Sequence, residues 1–343
     1  MKLSWQSFEL QTKHAFHIAR MKAPPVRRAV WVRIADAEGR EGWGEAAPNA
    51  YYGETAETVE AVLARYAEVL ADVPDGLALE RIERSIELEV GRNPAARVAV
   101  SAALHDLAGK TLGVPVWKLW GLSPDTMPRS SFTIGITSAD ELRQRVQEAA
   151  RYPILKLKVG TPGDEELLRI VREEAPHATI RIDANTGWTL KDAVAGLPLF
   201  HELGVELIEQ PFKADDIAAM RHLREVSPIP VVADESCRTV ADIPPLVGAV
   251  DVINIKLEKC GSLREAVRMV HVARAHGMGV MLGCMVTSTL GIAAAAQLAP
   301  MVDYVDLDGA ALLANDPFTG PGMQDDGTMR LNEEPGLGVT ERR

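Results

Sequence analysis

The strongest constraint on the fold is a series of eight short apolar runs, rich in valine and isoleucine, between residues 131 and 309. Amphipathic stretches lie between them, and strands that alternate with helices pair in parallel through right-handed crossovers, so eight units close a barrel. An open doubly wound sheet is the alternative, which the lack of a GxGxxG turn after the first strands disfavours. The runs are SFTIGI (131–136), ILKLKV (154–159), TIRIDA (179–184), VELIEQ (205–210), IPVVADE (229–235), VDVINIK (250–256), GVMLGCM (279–285) and YVDLDG (304–309).

The first third of the chain has a different pattern. Three segments alternate apolar and polar residues as strands of an antiparallel sheet do, with a turn at Glu38-Gly39. Helical periodicity follows in three stretches: 55–70, 77–90 and 94–112. We therefore predict an α/β protein with a TIM-like (β/α)8 barrel over residues 126–314. An α+β capping domain, residues 1–125, precedes it, and the Gly- and Pro-rich tail, 315–343, is expected to pack back on that domain.

Charge and cysteine content narrow the classes of function. A net charge of −11 argues against a nucleic-acid partner, which requires clustered lysine and arginine. The three cysteines lack CxxC spacing, which predicts free thiols in a reducing compartment and therefore a cytoplasmic protein. Residues 277–302 carry no charge and by length could suggest a membrane span. Their four glycines and one proline instead predict a buried strand and a buried helix, with no membrane partner.

Charged residues recur at the C-terminal ends of the runs, where barrel enzymes place their chemistry. From Lys158 through three carboxylates to Lys256 they lie 22 to 26 residues apart, about one strand–helix unit each, so they are expected around one cavity. A single such charge is more often a solvated rim residue or half of an ion pair, but a regular series favours a site. Three carboxylates repel one another unless a cation lies between them. With no histidine or cysteine in the set, Mg²⁺ is predicted, Mn²⁺ is an alternative and Zn²⁺ is disfavoured, with these ligands: Asp183, Glu209 and Asp234.

Two lysines flank this predicted metal site, Lys158 on one side and Lys256 on the other. A protonated lysine is a poor base, but desolvation and neighbouring cations lower its pKa. Lys156, on the same face of the strand as Lys158, is predicted to help keep Lys158 neutral enough to accept a proton. Two bases that face each other across a metal-bound carboxylate can remove a proton from one face of a carbon and return one to the other. The predicted chemistry is therefore inversion of a carbon centre.

A set of motifs extends along nearly the whole chain: DLAGKTLGVPVWKLWG (106–121), KLK (156–158), DANTGW (183–188), IEQP (208–211), ADES (233–236), NIKLEKCG (254–261) and PGLGV (335–339). Together they resemble the muconate-lactonizing branch of the enolase superfamily, in which a lysine base acts with Mg²⁺ on an enediolate. The resemblance implies that Lys158 and Lys256 are the two acid/base groups, with Lys158 serving the L isomer. It also implies that Asn185 and Glu235 support the metal ligands.

Within that branch, GCM (283–285) followed by DLDG (306–309) resembles the dipeptide epimerases, whose type is alanyl-glutamate epimerase. The resemblance implies that Asp306 and Asp308 bind the α-ammonium of a dipeptide, and that Cys284 and Met285 line the substrate site. The alternative for the aspartate pair is an ion pair with an Arg or Lys of a loop. Relatives of other specificity, which act on muconate or succinylbenzoate, have no ammonium to bind, so this pair distinguishes the two classes.

Two segments of the capping domain, 16–28 and 49–55, occupy the places of the specificity loops of this family. Arg20 is placed to meet the side-chain carboxylate of a glutamate, and Tyr52 is placed to contact substrate. The alternatives are a solvated Arg20 and tyrosines that only pack. One departure bears on substrate choice, because Thr287 stands where relatives often have glutamate.

The predicted function is Mg²⁺-dependent epimerisation of an L,L-dipeptide to the L,D form, and the reverse, at the α-carbon of the C-terminal residue. It proceeds by two-lysine proton transfer through a metal-stabilised enediolate, on L-Ala-D/L-Glu or a related dipeptide. One alternative is a muconate-type cycloisomerase, an o-succinylbenzoate synthase or an N-acylamino-acid racemase, which use the same lysines and metal. Another is a non-enzymatic metal-binding barrel, which the intact lysine pair disfavours. The expected partner is a small dipeptide, and assembly into a homo-oligomer is left open.

Overall fold

A three-stranded antiparallel sheet opens the chain in the computed structural model, which describes residues 1–22, 26–73 and 76–342. The strands are β1 (Lys2–Gln11), β4 (Val26–Ala35) and β5 (Glu41–Ala46), in the order β1-β4-β5, and the short hairpin of β2 (His17–Ile18) and β3 (Met21–Lys22) lies between the first two in sequence. The predicted turn at Glu38-Gly39 is confirmed, because Gly39 has a φ of 80°, a left-handed conformation that glycine adopts without strain.

Four helices follow the sheet: α1 (Ala56–Ala71), α2 (Leu79–Glu89), α3 (Pro94–Leu112) and α4 (Val116–Leu119). Helices α1 and α3 pack against the sheet, α2 packs on α1 and α3, and α4 packs on α3. Nearly all of α3 is buried, because it lies between the sheet and the second half of the chain. It approaches β5 so closely that a Cβ atom on Gly44 would lie 2.0 Å from the carbonyl oxygen of Ala99. Small residues on both elements therefore fix the position of the capping unit.

The second half of the chain is an eight-stranded parallel sheet with its strands in sequence order. A parallel bridge between Ser130 and Val305 joins its first and last strands and closes the barrel. The strands are β6 (Phe132–Ile134), β7 (Ile154–Lys158), β8 (Thr179–Asp183), β9 (Val205–Glu209), β10 (Val231–Ala233), β11 (Val252–Lys256), β12 (Gly279–Gly283) and β13 (Tyr304–Asp306). The helices are α5 (Ala139–Glu148), α6 (Asp164–Glu174), α7 (Leu190–Glu202), α8 (Ile217–Val226), α9 (Ile243–Leu246), α10 (Leu257–Cys260), α11 (Leu263–Ala275) and α12 (Thr289–Ala296). The predicted capped (β/α)8 barrel is confirmed.

Strand register places the charged residues at one level of the barrel. Lys158 pairs with Asp183, and Asp183 pairs with Glu209, across neighbouring strands. On the other side of the barrel, Gly283 pairs with Lys256 of one neighbouring strand and with Asp306 of the other. All of these residues are at the C-terminal ends of their strands, which is the end that carries chemistry in barrels.

The C-terminal tail contains four short strands: β14 (Phe318–Thr319), β15 (Gly322–Met323), β16 (Met329–Arg330) and β17 (Thr340–Glu341). It contacts the capping unit, because the ring of Phe318 lies 5.0 Å from that of Trp31 and the backbone N–H of Leu337 donates to Asp106 at 2.7 Å. It also contacts the barrel, where Asp316 accepts from the hydroxyl of Thr289 at 2.6 Å. The domain boundaries at residues 125 and 315 remain a prediction.

The uncharged segment 277–302 forms β12, α12 and the loops around them. In the described ranges no helix combines the length and the apolar character that crossing a membrane requires. The strand-and-helix interpretation of this segment is confirmed.

Candidate active site

Three buried carboxylates converge at the C-terminal ends of three consecutive strands. Asp183, Glu209 and Asp234 each offer one oxygen, and these oxygens lie within 4.8 Å of one another. The side-chain amide of Asn254 donates to Oε1 of Glu209 at 2.9 Å and orients this carboxylate. Three oxygen donors at this spacing, without histidine or cysteine, suit a hard divalent cation such as Mg²⁺.

Lysines lie on opposite sides of this triad. Lys158 is on the second strand of the barrel and Lys256 on the sixth, four strands away, and their ammonium groups lie 2.6 Å from Asp183 and 2.7 Å from Asp234. Gly283 makes room inside the barrel, because a Cβ atom there would lie 3.1 Å from Cε of Lys256. The two lysines therefore face a common space from opposite walls, as the sequence spacing predicts.

Lys156 lies beneath this space and is ion-paired three times. Its Nζ is 2.7 Å from Glu209, 2.8 Å from Asp306 and 3.2 Å from Asp183. Burial alone would lower the pKa of Lys156, but these carboxylates raise it well above its ordinary value. Lys156 therefore stays protonated, as its predicted role beside Lys158 requires. Its effect on the pKa of Lys158 remains a prediction.

The charges of the triad are set by burial and by the lysines. Burial opposes ionisation of Asp183 and Asp234, but neighbouring lysines hold the pKa of each below its usual range. The pKa of Glu209 is raised to about 7, because burial and the negative charge of Asp183 disfavour its carboxylate. The cluster therefore has repulsion that a divalent cation would relieve.

Lys256 departs from the expectation that burial and neighbouring cations lower a lysine pKa. Burial does act in that direction, but Asp234 and Glu209 raise the pKa of Lys256 well above its ordinary value. Among the groups of the protein alone, the carboxylates therefore outweigh burial at Lys256, and a lowered lysine pKa beside a bound metal stays a prediction. The same carboxylates are the predicted metal ligands, and a cation on them would weaken the attraction that raises this pKa.

The sequence did not reveal the role of Lys259. This lysine is fully buried on α10, and its Nζ lies 2.7 Å from Oδ1 of Asp234 and 2.9 Å from the carbonyl oxygen of Asn254. It holds Asp234 from the side opposite Lys256. The available signal was its spacing, three residues after Lys256, where β11 ends and α10 begins.

The aspartates of the eighth strand are buried beside the lysine cluster. Asp306 lines the cavity and accepts from the hydroxyl of Ser131 at 2.6 Å as well as pairing with Lys156. Asp308 accepts from the backbone N–H of Thr133 at 2.6 Å, and burial together with Asp306 raises its pKa to about 7. The ion pair of Asp306 is with a barrel lysine, not with a loop residue as the alternative interpretation supposed.

Arg20 closes one side of the cavity through contacts with the protein. Its guanidinium binds the carboxylate of Glu235, donates to the carbonyl oxygen of Asn185 at 3.2 Å, and lies 4.1 Å from the ring centre of Tyr51. It is therefore not a solvated loop residue. Asn185 also donates to Glu235 at 3.3 Å, so these two predicted supports of the metal ligands are joined to each other.

The cavity lies between the barrel mouth and the capping unit. Tyr52, Cys284 and Met285 are on its wall, as predicted, together with Phe16 and Ile18 from the cap. The specificity segment 16–28 includes residues 23–25, which lie outside the described part of the chain. Substrate contact by these wall residues remains a prediction.

A buried carboxylate of the cap anchors the loop that carries Cys284 and Met285. Glu45, on β5, accepts from the hydroxyls of Thr287 and Ser288 and from the backbone N–H of Ser288 at 3.0 Å. Thr287, the residue whose identity is predicted to bear on substrate choice, thus binds a glutamate from the cap. The pKa of Glu45 is raised to about 7 by burial, against the effect of these hydrogen bonds.

This junction predicts a pH-dependent stability. The folded protein binds the Glu45 proton more tightly than the unfolded chain does. The contribution of this proton to the free energy of unfolding is therefore complete below about pH 4.5 and is lost as pH rises through about 7. The full effect is on the order of 3 kcal/mol. We expect the melting temperature of Glu45→Gln to fall less between pH 6 and pH 8.5 than that of the parent, measured by calorimetry. Glu38→Gln, in an exposed turn, is the control, and equal slopes for Glu45→Gln and the parent would refute the assignment.

A cap over a parallel barrel, with a carboxylate triad between two opposed lysines, defines a class of barrel enzymes that use acidic metal sites and lysine acid–base groups. Family models match both parts: residues 7–121 match the mandelate racemase/muconate lactonizing enzyme N-terminal domain, and residues 138–343 match the enolase C-terminal domain-like family. The chain belongs to the mandelate racemase/muconate lactonizing enzyme family of the enolase superfamily. The resemblance inferred from the motifs is confirmed.

Several relatives of this chain are named for dipeptide substrates. L-Ala-D/L-Glu epimerase of Bacteroides thetaiotaomicron is 39% identical, covering 99% of this chain and 88% of the relative. A dipeptide epimerase of Enterococcus faecalis, solved with Mg and L-Leu-L-Tyr, superposes with a TM-score of 0.93 at 30% identity, covering 99% of both chains. A dipeptide epimerase of Methylococcus capsulatus, solved with Mg and L-Arg-D-Lys, superposes with a TM-score of 0.92 at 33% identity, covering 99% of both chains. The side chains in these names are acidic, apolar and basic, so kinship alone does not fix the preferred dipeptide.

Proposed function

We propose that this protein is a Mg²⁺-dependent dipeptide epimerase that inverts the α-carbon of the C-terminal residue. The observation that carries the proposal is the placement of Lys158 and Lys256 on opposite walls of one cavity, with the carboxylate triad between them. Proton removal on one face and return on the other requires this opposed arrangement. The kinship with dipeptide epimerases supports the substrate class.

The triad fits Mg²⁺, because it offers three clustered oxygen donors and its charge repulsion is relieved by a cation. Asp183, Glu209 and Asp234 would hold the ion, with Asn254 and Lys259 orienting two of these carboxylates. When bound, Mg²⁺ supplies a Lewis acid for the substrate carboxylate and offsets the negative charge that develops as the α-proton leaves.

The lysines exchange the proton at the α-carbon. In one direction Lys158 accepts the proton and Lys256 delivers one to the opposite face, and in the other direction the roles reverse. Both lysines are more than nine-tenths buried, at 9% and 6% exposure, so the proton transfers take place away from bulk solvent. Family analogy assigns Lys158 to the L isomer.

Asp306 and Asp308 suit the α-ammonium of the dipeptide. Both are buried near the cavity, and together they carry more negative charge than Lys156 alone offsets there. A substrate ammonium would favour the ionised form of Asp308, whose pKa of about 7 reflects burial and its neighbour Asp306. A substrate with a blocked amine has no charge to place at this position, which distinguishes the dipeptide reaction from the N-acylamino-acid alternative.

The first test is α-proton exchange in D₂O. Purified protein with Mg²⁺ and a pooled library of L,L-dipeptides is expected to increase the mass of particular members by one dalton, because inversion exchanges the α-proton with solvent. Mass spectrometry then names the side chains that the cavity accepts. The matched control is the same library with acetylated amines, for which no exchange is expected. Exchange confined to the acetylated set would instead establish the N-acylamino-acid alternative.

We further propose a cytoplasmic location and no nucleic-acid partner. Three free cysteines support a reducing compartment, and the net charge of −11 disfavours a polyanion. A homo-oligomer is compatible with the active cavity, since every side chain that carries the proposed chemistry comes from this chain.

A further inference from the structure

Gln210 connects three neighbouring strands of the barrel at their C-terminal ends. It directly follows the metal ligand that ends β9, and it is fully buried, at 0% exposure. Its backbone N–H donates to the carbonyl oxygen of Val232 at 2.9 Å, and its own carbonyl oxygen accepts from the N–H of Thr186 at 2.9 Å. Val232 shortly precedes Asp234 in the chain, and Thr186 shortly follows Asp183. One residue therefore contacts the segments that carry the other two ligands of the triad.

The side chain of Gln210 uses both halves of its amide. Its Oε1 accepts from the backbone N–H of Asp234 at 2.8 Å and from that of Ser236 at 3.1 Å. Its Nε2 donates to the carbonyl oxygen of Phe212 at 2.9 Å and to the hydroxyl of Ser236 at 2.8 Å. This position requires an acceptor and a donor on one side chain, which glutamine supplies and glutamate, when ionised, does not. The main chain of one ligand is therefore held by a side chain from the neighbouring strand.

The backbone of Gln210 has a conformation that glutamine rarely adopts. Its φ is 35°, in the left-handed region that favours glycine. In the described parts of the chain five non-glycine residues have positive φ, and three of them lie together at this site: Asn185, Thr186 and Gln210. Such strain clusters at functional sites and persists where surrounding contacts compensate for it. The chain has a glutamine where glycine would be unstrained, which indicates that the side chain is required.

We infer that Gln210 is a positioning residue of the metal site, which fixes Asp234 relative to the other two ligands. The inference rests on the Mg²⁺ site of the proposed function and not on its substrate. Lys256 and Lys259 hold Asp234 through its carboxylate oxygens, whereas Gln210 holds its backbone N–H and so sets where the main chain of this ligand lies. Because Mg²⁺ tolerates little distortion of its ligand geometry, a displaced ligand lowers the affinity for the ion.

Two variants of Gln210 test this role. Gln210→Met approximately keeps the size of the side chain but leaves the N–H groups of Asp234 and Ser236 without their acceptor. Its Mg²⁺ dissociation constant, measured by isothermal titration calorimetry, is expected to rise on the order of 10- to 100-fold. Gln210→Gly also removes the backbone strain, so it is expected to fold and still to bind Mg²⁺ more weakly than the parent. In both metal-free variants the amides of Asp234 and Ser236 should exchange faster with D₂O, followed by NMR.

Gln297→Met is the matched control. Gln297 is also buried, accepts from the backbone N–H of Trp117 at 3.0 Å and donates to the carbonyl oxygen of Ala293 at 3.2 Å, but it lies outside the active cavity. Its loss should lower the melting temperature and leave the Mg²⁺ dissociation constant unchanged.

The outcomes separate this inference from the proposed function. A parental dissociation constant in both Gln210 variants, or an equal rise in Gln297→Met, overturns the inference alone. A parent that binds Mg²⁺ but exchanges no dipeptide would overturn the proposed function and leave the role of Gln210 standing. A parent that binds no Mg²⁺ would overturn both.

Discussion

Lys158→Ala is expected to lose proton exchange from one epimer of the substrate and Lys256→Ala from the other. The physical reason is position: the two ammonium groups approach the cavity from the second and sixth strands, so each reaches only one face of the α-carbon. Loss of a positioned base should slow exchange from the matching epimer on the order of 1000-fold. The measurement is deuterium incorporation from each pure epimer, followed separately by mass spectrometry.

Two further variants separate proton transfer from charge. Lys158→Arg keeps a cation beside Asp183 but cannot act as a base near neutral pH, so it should be as impaired as the alanine variant. Lys118→Ala, in the capping unit and paired with Glu333 away from the cavity, is the control and should exchange both epimers at parental rates. Equal loss for both epimers in each single variant would contradict the assignment of one lysine to each face.

Much of the site could be predicted because barrel geometry converts sequence spacing into position. Residues one strand–helix unit apart fall at one level of the barrel, and the observed register pairs Lys158 with Asp183 and Asp183 with Glu209. The regular series of strand-end charges therefore located the triad and both flanking lysines. Periodicity also placed α3, whose bounds agree with the predicted stretch 94–112.

Side-chain partners that are distant in sequence could not be predicted in this way. Arg20 and Glu235 are 215 residues apart, and Glu45 and Ser288 are 243 residues apart, so no local pattern links them. Each pair depends on how the cap lies over the barrel.

The carboxylate triad illustrates a conflict between stability and function. Glu209 is buried against Asp183, and that repulsion contributes to its pKa of about 7. At a pH above 7 the metal-free protein therefore contains an ionised group that destabilises its own fold. Metal binding accounts for such a group, because a cation that binds only the folded state restores the lost stability.

Glu209→Gln is consequently expected to have opposite effects with and without metal. Without Mg²⁺, at pH 8, the variant should melt at or above the parental temperature, since the amide removes the repulsion with Asp183 and leaves Lys156 paired with Asp183 and Asp306. With Mg²⁺ at 100 times the parental dissociation constant, the parent gains about 2.7 kcal/mol, and the variant should lose most of that gain. Calorimetric melting across a Mg²⁺ titration measures both effects.

The matched control is Glu206→Gln, which removes a carboxylate from the same strand. Glu206 pairs with Arg181 at 2.6 Å and is not part of the triad, so its loss can lower stability but should leave the Mg²⁺-dependent gain unchanged. Because the two variants differ only in which carboxylate of β9 is neutralised, the comparison isolates the metal site from general effects of charge. A full Mg²⁺-dependent gain in Glu209→Gln would show that the ion binds elsewhere. A metal-free variant that melts well below the parent would show that the pairing of Glu209 with Lys156 outweighs its repulsion with Asp183.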